Sequence, residues 1–277
     1  MKSNHEAVAR TYAHGALLAS IESALDKMGK SSDNVSIDDL APVDEFHIGG
    51  RFATERFMAQ LGLSKNHCVL DVGCGLGGAA RFVADTYQCQ VYGIDLSPEY
   101  VETGNTLCKW VKLGEHISLH QGSALDIPFA NDHFDRAYMM HVGMNIEDKA
   151  QLFSELYRLL RPGAILGIYD VMGQQQSDLA FPVPWASSSA TSYLATADEY
   201  THGLAQAGFE LLQQHNRRDF AIEFFKRLRA KTRVKAGPPP LGLHTLMQES
   251  TTAKIGNMIS NIANGYIAPV ELIVRKN

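Results

Sequence analysis

No apolar run in the 277 residues approaches the roughly 20 needed to cross a bilayer as a helix. The first residues, Met1-Lys2-Ser3-Asn4-His5-Glu6, lack the apolar core of a secretory signal. Cysteine is scarce, and the four present (Cys68, Cys74, Cys89 and Cys108) have neither zinc nor redox spacing. A reduced, cytoplasmic protein without a metal site is therefore expected. Excess positive charge is missing too: a net charge of −5 argues against a nucleic-acid surface. No internal repeat is present. What remains, 45% hydrophobic and 20% charged residues, is ordinary globular composition. The length suits one large domain, or one with a small lid.

The chain is organised around Val69-Leu70-Asp71-Val72-Gly73-Cys74-Gly75-Leu76-Gly77-Gly78. It reads as a buried strand, a glycine-rich turn and a helix starting near Ala79. Glycine can take positive φ and lets backbone N–H groups approach a ligand closely. A helix N-terminus beside such a turn makes a cofactor crevice in an open parallel sheet. Two cofactor classes use this device. Gly73, Gly75 and Gly78 satisfy the dinucleotide pattern, with Asp95 about 20 residues further on as a ribose acid. Asp71, two residues before the first glycine, argues against a pyrophosphate and suits a cofactor carrying an ammonium and a sulfonium. S-adenosylmethionine is such a cofactor.

Four stretches then agree in order. Asp71-Val72-Gly73-Cys74-Gly75, Gly93-Ile94-Asp95-Leu96-Ser97, Phe129…Phe134-Asp135 and Leu160-Arg161-Pro162-Gly163 together resemble the class I S-adenosylmethionine-dependent methyltransferases over about residues 50–215. Phe46-His47-Ile48-Gly49 is similar to the loop before the core of sarcosine and dimethylglycine N-methyltransferases, and the core to tocopherol-type C-methyltransferases. The resemblance implies an α/β fold: a doubly wound, seven-stranded, mostly parallel Rossmann-like sheet with an antiparallel last strand and a helical lid. Residues 1–49 would supply an N-terminal helix and lid loop. The methyltransferase domain would occupy residues 50–277, with lid insertions near 173–195 and 217–265.

Along the chain, residues 5–28 read as a helix through Leu17, Ile21, Leu25 and Met28. Lys30 to Asp39 reads as a loop. Asp44 to Gly50 reads as a ligand-facing loop or as the entry to a helix over Arg51–Leu61, with Phe52, Phe57 and Leu61 on its apolar face. Asp95 ends a second strand and either binds ribose or caps the next helix, for which Ser97 is the better cap. Ser123 stands where the family usually has an adenine-binding carboxylate, and leaves the Ala124 N–H as a further partner for the ring. Strand four delivers His141. Asn145 is read as the cap of a helix over Glu147–Leu160. A fifth strand ends at Asp170, and two prolines stiffen a loop presenting Trp185. Helix 220–233 is basic and amphipathic, suited to a solvated face or to an acidic or membrane partner.

The expected cofactor contacts are Asp71, Gly73, Cys74, Gly75, Asp95, Leu96, Ser123, Ala124 and His141. Acceptor contacts are Phe46, His47, Asp170 and Trp185, with His141 and His47 as candidate bases. The expected reaction is methyl transfer to a small molecule, an amine such as a methylated glycine. Alternatives are a quinone, phenolic or lipid ring, a binder of the cofactor without turnover, and an NAD-dependent oxidoreductase. A monomer and a homodimer are both compatible with the sequence.

Overall fold

A computed structural model of the chain describes residues 12–174, 179–234 and 239–277, with residues 231–234 described by backbone alone. Seven strands form one sheet: β1 Cys68–Val72, β2 Gln90–Asp95, β3 Ile117–Gln121, β4 Phe134–Met140, β5 Leu160–Gly173, β6 Phe209–Asn216 and β7 Ile267–Lys276. Their spatial order is β3-β2-β1-β4-β5-β7-β6. Strand β7 runs antiparallel to both β5 and β6, and the other pairings are parallel. The expected sheet is therefore present, with its antiparallel strand last in the chain and second from the edge. The order reverses at β1, where chain connections leave in opposite directions and open a crevice at the carboxyl ends of the strands.

The central strands are buried on both faces, as a parallel sheet covered by helices requires. One side packs β4 and β5 against α6 (Lys149–Leu159) and α7 (Ala197–Ala207) through Phe153, Leu156 and Leu204. The other packs Val69, Val91 and Tyr138 against α4 (Gly78–Tyr87) and against α3 (Gly50–Met58), through Phe57. Helix α5 (Pro98–Trp110) begins on Ser97, whose hydroxyl accepts from the Tyr100 N–H at 3.3 Å. Ser97 is therefore its cap, and the Asp95 side chain is left to bond the Gly75 and Ser97 amides.

Several expected elements differ. Of the expected helix 5–28, residues 5–11 lie outside the described residues; α1 spans Leu17–Lys27 and buries Leu17, Ile21 and Leu25. The expected loop at 30–39 ends instead in α2 (Ile37–Asp44), started by a reciprocal cap between Ser36 and Asp39. Pro42 sits inside α2 and forfeits one helical bond. Phe57 and Leu61 are buried, but Phe52 is 60% exposed and stacks on Phe220 at 5.8 Å. Helix α6 is capped by Asp148, which accepts from the Gln151 N–H at 2.9 Å. Asn145 is engaged elsewhere, donating to the Trp185 carbonyl and accepting from the Tyr12 hydroxyl, each at 2.8 Å. The basic helix is α8 (Arg218–Val234). The remaining helical stretch divides into α9 (Leu243–Met247) and α10 (Thr251–Ala263).

Candidate active site

A cavity of about 1650 Å³ opens at the carboxyl ends of β1 to β5. Its floor is the turn after β1, where Gly73, Gly75 and Gly77 take φ of 72°, 53° and 77°. The Gly73 and Cys74 amides donate to the Ile94 carbonyl at 2.8 and 3.0 Å, locking the turn onto β2. A Cβ on Gly73 would lie 2.3 Å from Val142 Cγ2. A Cβ on Gly75 would meet only Tyr100, at 3.9 Å, so the backbone there is open to a ligand. Arg81, fully buried, donates to the Leu76 carbonyl at 2.8 Å and pairs with Asp44, which ties α2 to this turn.

Acidic side chains flank the turn. Asp95 Oδ2 accepts from the Gly75 N–H and Oδ1 from the Ser97 N–H, each at 2.9 Å. Each oxygen keeps a lone pair for a further donor such as a ribose hydroxyl. Burial pushes the Asp95 carboxyl above its usual range. Asp71 is buried, accepts from the Tyr138 hydroxyl at 2.9 Å, and is pushed up to about 8 by burial. Cys74 is buried in the turn with its thiol also raised by burial. Leu96, Ser123 and Ala124 line the same cavity. The Ser123 hydroxyl accepts from the Leu125 N–H at 3.1 Å, which leaves its proton available for a ligand.

His141 follows β4 in the left-handed region, with φ of 57°, an uncommon conformation for a residue with a Cβ. Both of its ring nitrogens are buried and have no hydrogen-bond partner among the described residues. Burial, and then the neighbouring His47, hold its pKa well below the ordinary value. His47 faces it, with ring centres 6.0 Å apart and planes 29° from parallel, and burial lowers it to about 4. Both rings are neutral at pH 7. Phe46 and Trp185 complete this wall, and the Trp185 indole N–H donates to Ser192 Oγ at 3.0 Å.

Asp170 does not join them. Its carboxylate is fully buried and absent from the cavity wall. It accepts from the Val142 N–H at 2.7 Å, the Gly143 N–H at 2.9 Å and the Tyr200 hydroxyl at 2.8 Å. Asp170, the expected acceptor contact, is placed as a brace under the turn that carries His141, because it is buried off the cavity wall with both oxygens turned to local donors.

Sequence reasoning missed the apolar chamber wall supplied by the C-terminal helices. Phe224 and Phe225 from α8, and Ile255, Met258 and Ile259 from α10 form it, in a lining that also holds His244, Glu249, Thr251 and Thr252. The i, i+3, i+4 spacing of Ile255, Met258 and Ile259 was readable as a buried helix face, not as a pocket wall. Glu45 and Thr54, which hold His47, were also missed. Among the described residues lining the cavity, Arg229 is the only lysine or arginine, and it is exposed. No group of described residues has the makings of a metal site.

Comparison with known proteins places this geometry in context. Residues 70–168 match the family described as a methyltransferase domain. A protein of Oryza sativa subsp. japonica, provisionally assigned as a chloroplastic tocopherol O-methyltransferase, is 44% identical over 100 residues. That match covers 36% of this chain and 28% of the rice protein. Geranyl diphosphate C-methyltransferase from Streptomyces coelicolor A3(2), solved with S-adenosylhomocysteine, superposes with a TM-score of 0.72. It is 17% identical, with 99% of this chain and 98% of that one covered. A structure provisionally assigned as a sarcosine dimethylglycine methyltransferase, from Galdieria sulphuraria, gives 0.63 at 20% identity, covering 81% and 83%. The chain spans less than two thirds of the length of the curated relatives it matches, between 28% and 65% of each. The methyltransferase resemblance and the doubly wound fold are borne out.

Proposed function

We propose that this chain, with its methyltransferase domain over residues 70–168, transfers a methyl group from S-adenosylmethionine to an apolar small molecule bearing a phenol-type hydroxyl. The observation that carries the reading is the make-up of the large cavity. Its lining joins an open glycine turn between Asp71 and Asp95 to two neutral histidines and an apolar wall from the C-terminal helices.

The floor suits this cofactor. Gly73 and Gly75 would hold its methionine end, Asp95 its ribose, and Ser123 with the Ala124 N–H its adenine. Asp71 would favour positive charge beside the turn. A pyrophosphate would find no compensating cation beside the turn, where Asp95 and an ionisable Asp71 lie instead, which weighs against NAD. When bound, S-adenosylmethionine supplies a methyl group on a sulfonium, already a good leaving group. The residues of the chain then have to align the acceptor, exclude water and receive a proton. Phe46, Trp185, Phe224 and Met258 provide the dry wall, and neutral His47 or His141 the lone pair.

A second reading, N-methylation of a glycine-like amine, follows the Phe46–Gly49 likeness. Such an acceptor carries a carboxylate, and the described lining offers it no buried cation. The same lack weighs against a diphosphate. The apolar chamber favours a ring of the kind named by the tocopherol relative, which becomes O- or C-methylated once its hydroxyl is ionised. A binder without turnover would have no need of such a chamber.

We further read the described parts of 1–49, 173–195 and 217–265 as the lid around this mouth; residues 1–11, 175–178 and 235–238 of that reading lie outside the described residues. No described helix is long and apolar enough to cross a membrane. A cytoplasmic setting, a monomer or homodimer, and no nucleic-acid partner remain the simplest arrangement. The test is transfer of labelled methyl to a panel: a tocopherol-type chromanol, a hydroquinone, sarcosine and geranyl diphosphate. Label in the chromanol or hydroquinone is expected. Label in sarcosine alone would favour the amine, and none in any acceptor would overturn the proposal.

A further inference from the structure

We infer that Glu45 and Thr54 are positioning residues that fix the tautomer of His47, leaving its Nδ1 as the atom that receives the acceptor's hydroxyl proton. This rests on the methyl-transfer reading above and deepens it by naming one nitrogen of one histidine.

The protons along a buried chain of hydrogen bonds fix this tautomer. Arg51 Nε donates to Glu45 Oε1 at 2.6 Å, and the Thr54 hydroxyl donates to Glu45 Oε2. A carboxylate has nothing to donate in return. The single hydroxyl proton of Thr54 is therefore spent on Glu45. Toward His47 Nε2, 2.9 Å away, the Thr54 oxygen can only accept. The Gly50 carbonyl, 3.2 Å from the same nitrogen, can also only accept. Both contacts demand a proton on Nε2, so the lone pair sits on Nδ1. The Glu45 and His47 side chains are 1% and 5% exposed, so water does not scramble the assignment.

The arrangement also prepares for the charge that proton uptake creates. The acceptor's O–H bond breaks, its proton goes to Nδ1, and its electron pair stays on the oxygen, which takes up the methyl group directly or passes charge to a ring carbon. His47 becomes an imidazolium whose Nε2–H already faces Thr54, with Glu45 Oε2 3.4 Å away. The Gly50 carbonyl and Asp44 oppose the burial that keeps the resting ring neutral, while Arg51 adds to it. After the product leaves, Nδ1 returns the proton to water. His141 differs: neither ring nitrogen has a partner among the described residues to select a tautomer, and its ring packs on Tyr169 at 5.0 Å.

The experiment combines side-chain ¹⁵N NMR with kinetics on the full chain, using His47→Ala to identify the signal. The unmodified protein should show His47 as the Nε2–H tautomer, and Thr54→Val should shift it toward a mixture. With a hydroquinone acceptor, Thr54→Val should lower kcat at least about tenfold. Its acceptor KM and its affinity for S-adenosylhomocysteine should stay within about threefold, and Thr54→Ser should recover most of the turnover. If Thr54→Val does not fold, Glu45→Gln serves with the same expectations. An Nδ1–H tautomer in the unmodified protein, or unchanged kcat in the folded variant, would overturn the inference while leaving methyl transfer intact. Absence of methyl transfer by the unmodified protein would instead remove the reading beneath it.

Discussion

Replacing Asp170 by alanine should unfold the protein before it impairs acceptor binding. The carboxylate is fully buried and accepts from two backbone amides and one hydroxyl, all within 2.9 Å. Each buried donor left without a partner costs about 1–3 kcal/mol, so three give a gross loss of about 3–9 kcal/mol. Relaxation returns part of this: Tyr200 can turn its hydroxyl, and a water can enter the space left by the carboxylate. Removing a carboxylate that burial already disfavours returns more, since its pKa is raised by that burial. A net destabilisation of about 3–5 kcal/mol is the expectation, in the range for breaking a buried charged network. Asp170→Asn keeps one acceptor oxygen and should cost about 1–3 kcal/mol. Turnover of whatever remains folded should also fall, because the two amides directly follow His141 and its left-handed φ. Urea unfolding followed by circular dichroism gives the loss directly. An alanine variant within about 1 kcal/mol of the unmodified protein, whose only defect was weak acceptor binding, would refute the brace and restore a substrate contact.

Asp95→Ala should weaken S-adenosylhomocysteine binding by about 1–3 kcal/mol, read by calorimetry; unchanged affinity in a folded variant would remove Asp95 from the site. The two turn glycines should fail differently. Gly73→Ala drives a Cβ into Val142 and should lower stability in denaturant. Gly75→Val, at φ 53° and facing open space, should fold with a modest loss yet show no binding in the same titration. Asp71, at about 8, is mostly protonated at pH 7, and a bound cation favours its carboxylate, so binding expels a proton. Affinity for S-adenosylmethionine should therefore rise between pH 6 and 8, by up to about tenfold per pH unit, and level off above. Asp71→Asn should flatten that rise, and a fall across the same window would contradict the assignment.

The parts of the site legible in the sequence are those made by neighbours along the chain. Asp71, the glycine turn and Asp95 sit at strand ends whose period and flanking glycines were visible, and they meet because the sheet is parallel. Ser36 and Asp39 begin a helix that the polar stretch from Lys30 to Asp39, read as a loop, did not suggest. The rest depends on partners distant in sequence. Asp170 resembled a functional strand-end carboxylate until its donors at 142, 143 and 200 were in place. Asn145 gave up the expected cap to reach Tyr12 and Trp185. Phe52 belonged to an apolar pattern and yet faces outward, because its partner is Phe220 on α8. The apolar wall joins Phe46 and Ile48 to Phe224, Phe225 and Ile255 to Ile259, a closure no local pattern encodes. It is also why we propose an apolar ring rather than a charged amine as acceptor.

The most direct measurement is a pair of calorimetric titrations of the unmodified protein, one with S-adenosylhomocysteine and one with NAD. Saturable one-to-one binding of S-adenosylhomocysteine, with no heat from NAD, is the predicted result. Binding of NAD without binding of S-adenosylhomocysteine would contradict it, and would assign the glycine turn between Asp71 and Asp95 to a dinucleotide.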